Sequence, residues 1–286
     1  MPVLAFVLLL APPSEPAPPP IALDEILARV AGNQEKTEEA RARIVYQQSV
    51  RTRLLRGGGR LAREEKRFYT VTPTDKGTEK QLDKLEGLYE KGGKLHPYSD
   101  PKFRHKNVDL DGELAESVTD DLVNDKKSRD GISRDLFPLT PAEQRHYDFR
   151  FDGYQNVAGV RAIRLAFSPR KRAKDDACEE DCGRPWSGTV LIDPEEFQPL
   201  SVATTMSNVI PGWVKVVFGI NLKQLGFSLT YRKVAGGLWF PATYGTEFGL
   251  RVLFGYGRTV TMSMENTDFR LASAESSIVF VEPAAQ

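Results

Sequence analysis

From residue 44 onward most of the chain is patterned in twos. Tyr147, Phe149 and Phe151 alternate with Asp148, Arg150 and Asp152, and Ile163, Leu165 and Phe167 alternate with Arg164 and Ala166. Leu200, Val202, Thr204 and Met206 share one face of an extended segment, as do Phe227, Leu229 and Tyr231, and later Val260, Met262 and Met264. Side chains on a strand point to opposite faces with period two, so each run predicts a strand with one buried side. Turn residues punctuate the runs at Gly153, Gly159, Asp193-Pro194, Gly236-Gly237 and between Gly255 and Gly257. Short strands in succession with no long helix between them predict an antiparallel meander. Further strands are predicted over 44–55, 60–72 and 80–89, with turns at Gly57-Gly58-Gly59 and Gly92-Gly93 and a short continuation at Leu95. The first two of these are rich in polar residues.

Two stretches follow a different period. Leu23, Ile26, Leu27 and Val30 fall at i, i+3, i+4 and i+7, one face of a helix. Asp24 and Glu25 stand in its first turn, where the helix dipole favours acids, and the helix is open to extension through 35–43. Residues 96–135 break the strand pattern. They are polar, contain Pro97, Pro101, Gly112 and Gly131, and space Leu110, Leu114, Val118 and Leu122 near a helical period. This predicts a long connection carrying one helix, either a cover over a site or a packed satellite. The fold expected is mainly β: an incomplete antiparallel barrel or strongly curved sheet wrapped around the N-terminal helix and the mid-chain helix.

Residues 3–11 form an apolar run of about 9, far short of the ~20 needed to span a membrane as a helix. It fits the apolar region of a secretory signal, although no Lys or Arg precedes it and prolines crowd the region after it. Residues 1–22 are therefore expected to be a signal-like segment and a stiff proline-rich tether, and residues 23–286 one domain, exported to the periplasm. The chain carries 39 Lys plus Arg against 39 Asp plus Glu, which gives no electrostatic case for nucleic acid. Cys178 and Cys182 are the only cysteines. In an exported chain they are expected to form a disulfide pinning the 168–186 hairpin; in a reducing compartment they would be free thiols. No histidine lies near them, so zinc is not expected.

The chemistry-bearing residues form no catalytic pattern. His96, His105 and His146 have no metal spacing and read as surface or structural residues. There is no Gly-x-Ser-x-Gly, no His-Glu-x-x-His and no glycine-rich loop leading into a helix with a lysine. Asp120-Asp121 and Asp175-Asp176 lie in polar connections. No cofactor, metal or catalytic residue is assigned, and the chain is read as a non-enzyme. A hydrolase using carboxylates distant in sequence is the weaker alternative. What remains is apolar surface. Residues 209–218, with Pro211-Gly212 as a hinge, are unusually apolar. Trp213, Val217 and Phe218 are expected to border an apolar cavity walled by Phe227, Leu229 and Met262. The alternative is that these side chains form a dry core.

Several short motifs carry a family resemblance. Phe137-Pro138-Leu139-Thr140, the strand Tyr147-Asp148-Phe149-Arg150-Phe151-Asp152-Gly153, the hairpin 159–169 ending in Pro169, the strand Gly188-Thr189-Val190-Leu191-Ile192-Asp193 and the hairpin Gly237-Leu238-Trp239-Phe240-Pro241 together resemble the outer-membrane lipoprotein-sorting (lipoprotein carrier) superfamily. The resemblance spans most of 23–271. It implies an incomplete barrel with helices plugging one mouth and an acyl chain of a lipid or lipoprotein held in the cavity, delivered with the help of an inner- or outer-membrane protein. A related member type senses stress signals in the periplasm, which implies instead a protein partner and a filled cavity. The 96–135 segment and the charged 168–186 loop depart from the carrier pattern, and no residue here matches the carriers' lid-controlling arginine.

Overall fold

The computed structural model describes residues 21–41, 43–74, 77–123, 139–170, 186–206, 221–223, 226–251 and 255–272. It is mainly β, as the alternation requires. A helix, α1 (Leu23–Arg41), precedes four strands: β1 (Ile44–Leu55), β2 (Leu61–Thr74), β3 (Gly77–Lys91) and β4 (Lys94–Tyr98). Two helices follow, α2 (Leu110–Val123) and the single turn α3 (Pro141–Gln144). The rest is β5 (Tyr147–Val157), β6 (Val160–Pro169), β7 (Trp186–Ile192), β8 (Pro199–Met206), β9 (Asn221–Lys223), β10 (Phe227–Lys233), β11 (Trp239–Arg251) and β12 (Gly257–Leu271).

The strands form one antiparallel sheet in the order β4-β3-β2-β1-β12-β11-β10-β8-β7-β6-β5, with β9 paired to β11 outside this path. The last strand returns to the first, with Ile44 opposite Leu271 and Leu54 opposite Val260. That return leaves β4 and β5 as the free edges, so the sheet is not closed into a barrel. The same topology explains the long mid-chain connection. It leaves one free edge at Tyr98 and must enter the other at Tyr147, and α2 and α3 lie on that route. Helix α2 packs on β1 and β2, and α3 packs on β5 and α1.

The inward face of the sheet is the core. Ile26 and Val30 of α1, fully buried, pack in one cluster with Tyr46, Leu165, Val190, Leu229 and Phe240. Leu23 and Leu27, on the predicted apolar stripe, are half-buried at its margin. Two glutamines fasten the helix without charge: Gln34 Nε2 donates to Gln198 Oε1 at 3.2 Å, and Gln144 Nε2 donates to Leu27 O at 3.0 Å. β7 and β8 approach closely at Gly188, where a β-carbon would stand 2.0 Å from Ala203 O.

Three transverse rows of the inward face run across the sheet through directly paired residues. One passes Phe227, Thr246, Met262, Thr52, Glu65, Gly87 and Tyr98. The next passes Leu229, Tyr244, Met264, Val50, Arg67 and Leu85. The third passes Phe248, Val260, Leu54, Arg63, Tyr89 and His96. Each begins apolar on β10 or β11 and meets charge on β2. The concave face is therefore a greasy floor at one end and an ionic one at the other.

Candidate functional site

Strand β2 places Arg63, Glu65 and Arg67 on the buried side, while Glu64, Lys66 and Phe68 take the outer face. The outward Phe68 is bracketed by two cations, with Lys66 Nζ 4.7 Å and Lys84 Nζ 5.7 Å from its ring centre. Charge removed from water is costly unless paired and hydrogen-bonded, and here every inward charge has partners. Arg63 Nε donates to Glu65 Oε1 at 3.0 Å and its Nη1 donates to Asp109 Oδ2 at 2.7 Å. Arg67 donates to Glu65 Oε2 through Nε at 2.9 Å and Nη2 at 2.7 Å. Tyr98 Oη donates to Glu65 Oε1 at 2.6 Å.

Tyr98 reaches Glu65 by crossing Gly87, its direct neighbour on β3, where a β-carbon would lie 2.2 Å from the Tyr98 ring. Its ring stacks on Phe103 at 4.5 Å and carries the Arg63 guanidinium 4.8 Å from its centre. Tyr89 adds contacts to Phe103 at 5.1 Å and His105 at 5.5 Å. These rings tie the segment after β4 back across the sheet.

Asp109 is the hinge of the arrangement. Its Oδ1 accepts the Gly112 N–H at 3.1 Å, capping the first turn of α2, while Oδ2 takes Arg63. His105 Nδ1 stands 3.1 Å from Asp109 Oδ1. Two residues on, Asp111 Oδ1 accepts from Arg258 Nε at 2.7 Å and from Tyr256 Oη at 2.6 Å, and Asp111 Oδ2 accepts from Arg258 Nη2 at 3.0 Å. Further along α2, the Thr119 and Thr52 hydroxyls meet at 2.9 Å, and Ala115 and Val118 are buried. The mid-chain helix is thus clasped to β2 and β12 by ion pairs at its N-terminus and by small side chains along its length.

The electrostatics follow from the pairing. Burial alone would raise the Glu65 carboxyl, but Arg67, the Tyr98 hydroxyl and Arg63 outweigh it and hold it below the usual range. Asp109 is likewise held low, against burial, by His105, the Gly112 N–H and Arg63. Asp111 is held low, against burial, by Arg258 and Tyr256. Burial pushes the Tyr98 hydroxyl up, and the Glu65 carboxylate adds to this. All four arrangements keep acids ionised and the phenol neutral, so none of these groups is poised to exchange a proton near neutral pH.

Around the clasp lies a cleft of about 700 Å³ lined by Arg56, Ala62, Tyr89, Lys106, Val108, Leu110 and Tyr256 together with the clasp residues. Arg56 pairs with Glu90 across its wall. Val108 and Leu110 are exposed at 61% and 50%, on either side of Asp109 at 1%.

Of the residues expected to form a cavity, Phe227, Leu229 and Met262 are buried in the core. Phe227 meets Trp186 edge-on at 5.0 Å and stacks on Tyr244 at 5.9 Å. Leu229 is paired with Val202 and Tyr244, and Met262 lies between Thr52 and Thr246. None of the three lines the cleft beside α2. Trp213, Val217 and Phe218 lie outside the described residues, as do Cys178 and Cys182. Among the described residues no cluster of three or more His, Cys, Asp or Glu could hold a metal ion, and no helix is long and apolar enough to cross a membrane.

The clasp was not marked out by the sequence reading, which took β2 as merely polar. The available signal was Arg63, Glu65 and Arg67 at i, i+2 and i+4 inside a strand whose other face, Glu64, Lys66, Phe68 and Thr70, is also mostly polar. One of two polar faces must be buried when the strand is central, and a buried one needs a charged partner from elsewhere.

No protein-family model matches the chain, and no curated protein matches it. Among solved structures it is similar to a DUF1329 family protein from Desulfovibrio piger, at 10% identity over 89% of this chain and 95% of that one, with a TM-score of 0.36. It is also similar to a chain of the Pseudomonas aeruginosa MucA/MucB complex, at 15% identity over 87% of this chain and 99% of that one, with a TM-score of 0.23. Likenesses at this level decide neither mechanism nor partner.

Proposed function

We propose that this protein is an exported, non-catalytic binding or interaction protein, and that its partner meets the cleft beside α2. The observation that supports this is the division of labour in that cleft. Its acids, Glu90, Asp109 and Asp111, are each tied to an arginine that holds the fold together. The groups left for contact are the exposed side chains of Val108 and Leu110 with Lys106 and Asn107 beside them. Exposed apolar groups rimmed by polar ones mark interaction sites on soluble proteins. The test is site-specific photocrosslinking in cells that export the full chain, with the crosslinker at Leu110 and a control on the outer face at Arg150. A distinct adduct from Leu110 alone is expected. Equal labelling at both positions, or none at either, would remove the cleft from consideration.

A second reading, an acyl chain held on the concave face, is favoured by the apolar ends of the three transverse rows, where Phe227, Leu229, Tyr244 and Phe248 cluster. These side chains are already packed against one another, so a ligand would have to displace protein atoms. Native mass spectrometry of protein taken from membranes, searching for a bound lipid, separates the two.

A further inference from the structure

We propose that the cleft beside α2 takes an acidic peptide segment bearing large apolar side chains. The inference rests on the reading of this cleft as the contact site and adds the chemistry of the partner.

Three observations support it. The first is that the apolar knobs are held, not loose. Val108 and Leu110 flank Asp109, whose carboxylate is fixed both by the α2 cap and by Arg63. A preorganised apolar pair loses little freedom on binding and so suits an anchor contact. The second is the sign of the unpaired charge. Each acid lining the cleft is neutralised by an arginine. Lys106 in the wall carries no ion pair among the described residues, nor do Lys91 and Lys94, which flank the turn one residue beyond Glu90. All three are exposed and positive; the exposed acid nearest them on α2 is Glu113, one turn beyond Leu110. The unpaired charge in the cleft wall itself is therefore positive although the whole chain is neutral.

The third observation separates a peptide from an acyl chain. The floor of the cleft is Arg63, Asp109, Asp111, Tyr256 and Arg258. Side chains of Asp111 and Arg258 keep 15% and 13% of their surface in water. An acyl chain would strip that water and return no hydrogen bond. A peptide returns N–H and C=O groups to the floor while its apolar side chains cover Val108 and Leu110. A cleft of about 700 Å³ is also within the size range of small-ligand and short-peptide sites.

The test uses the full chain and fluorescence anisotropy with a labelled Glu-Leu-Glu-Phe-Glu-Leu peptide, its all-Gln and all-Lys counterparts at the Glu positions, and palmitate as competitor. Expected is saturable binding of the acidic peptide, weakened about tenfold or more by Gln and abolished by Lys, and falling steeply with added salt. Leu110→Asp should weaken binding about tenfold or more, and Lys106→Glu by roughly threefold to tenfold. Both positions are exposed, so circular dichroism should show unchanged folding. Equal affinity for the Gln peptide, indifference to Leu110→Asp, or stoichiometric displacement by palmitate would overturn the acidic-peptide assignment. If no peptide binds while Leu110 still gives a specific photoadduct in cells, the site stands and this partner chemistry falls. If the photoadduct is also absent, both fall.

Discussion

Removing Arg63 tests whether the buried charges hold α2 to the sheet. The Arg63 side chain is 2% exposed, and its partners Glu65 and Asp109 are 4% and 0% exposed. Arg63→Met keeps most of the volume and deletes the cation. Glu65 retains Arg67 and Tyr98, but Asp109 is left with His105 and the Gly112 N–H. Breaking a buried pair from one side typically costs about 3–5 kcal/mol, because the other charge stays buried. In a domain of this size that lowers the melting temperature by on the order of 10 °C. Urea unfolding followed by circular dichroism measures the loss. Asp109→Asn is the matching perturbation, since Asn caps a helix about as well as Asp while the charge and the acceptor for Arg63 are lost. The double variant should be less destabilised than the two single losses added together, because it leaves no orphan charge. The pH dependence is signed. The folded-state pKa values of Glu65 and Asp109 are depressed, so their contribution is present above the ordinary carboxylate range near ~4 and is lost as pH falls through their folded values. In Arg63→Met the stranded Asp109 is relieved by protonation, so the gap between variant and wild type should narrow as pH falls below ~4. A loss under ~1 kcal/mol at pH 7, with simple additivity in the double variant, would mean that water already screens the network and that the clasp is not ionic.

Gly87→Ala should force the Tyr98 ring off the sheet and break its bond to Glu65, costing about 2–3 kcal/mol; Tyr98→Phe, which loses only the hydrogen bond, should cost less, and equal costs would show that the ring does not need the glycine. Gly188→Ala places a β-carbon 2.0 Å from a backbone oxygen of β8, so thermal unfolding should show a loss of about 3 kcal/mol or more, and a wild-type melting curve would contradict the strand approach. Asp111→Asn should cost about 1–2 kcal/mol at pH 7 and progressively less as pH drops below the ordinary carboxylate range, because the folded pKa of Asp111 is depressed; a pH-independent loss in urea titrations would point to packing and not charge.

Strand existence was legible because one face of most strands is apolar. Tyr147, Leu165, Val202, Leu229 and Met262 each announce a buried side two residues apart from the next, and each is buried. The α1 stripe was legible for the same reason: Ile26 and Val30 are its two fully buried residues. The helix in the 96–135 connection was visible from Leu110, Leu114 and Val118, yet Leu110 is half exposed, because the true seam runs through Ala115, Val118 and Thr119. Periodicity finds a helix but cannot say which small residues touch the sheet. The turn α3 was missed: one turn of Pro-Ala-Glu-Gln has no period to detect. The candidate site was the least legible part. Arg63 and Asp109 are 46 residues apart, and only the strand order brings them within 2.7 Å. Pattern reading treats a charge as a sign of solvent, so it discards the residues that a buried ionic clasp is made of.

The position of that clasp divides the inward face of the open sheet. If the whole concave face were apolar, lifting either helix would expose the same kind of surface, and α1 and α2 would be equivalent covers. The transverse rows show otherwise. Toward β10 and β11 the floor is Phe227, Leu229, Tyr244 and Phe248, and α1 adds Ile26 and Val30 to the same apolar cluster; under α2, which packs on β1 and β2, it is Thr52, Arg63, Glu65 and Arg67. Displacing α1 would expose apolar area, which favours an acyl chain as replacement at about 25 cal/mol per Å². Displacing α2 would expose paired ions, which gain water readily but offer an acyl chain nothing. The two ends of one sheet thus present different chemistry, and the proposed docking of a protein segment on the outer rim of α2 leaves its ion pairs in place, whereas a lipid passing beneath it would have to break them. The acyl-chain and peptide readings are therefore separated by position: the first predicts crosslinks to lipid near β10, the second crosslinks to protein at Val108 and Leu110.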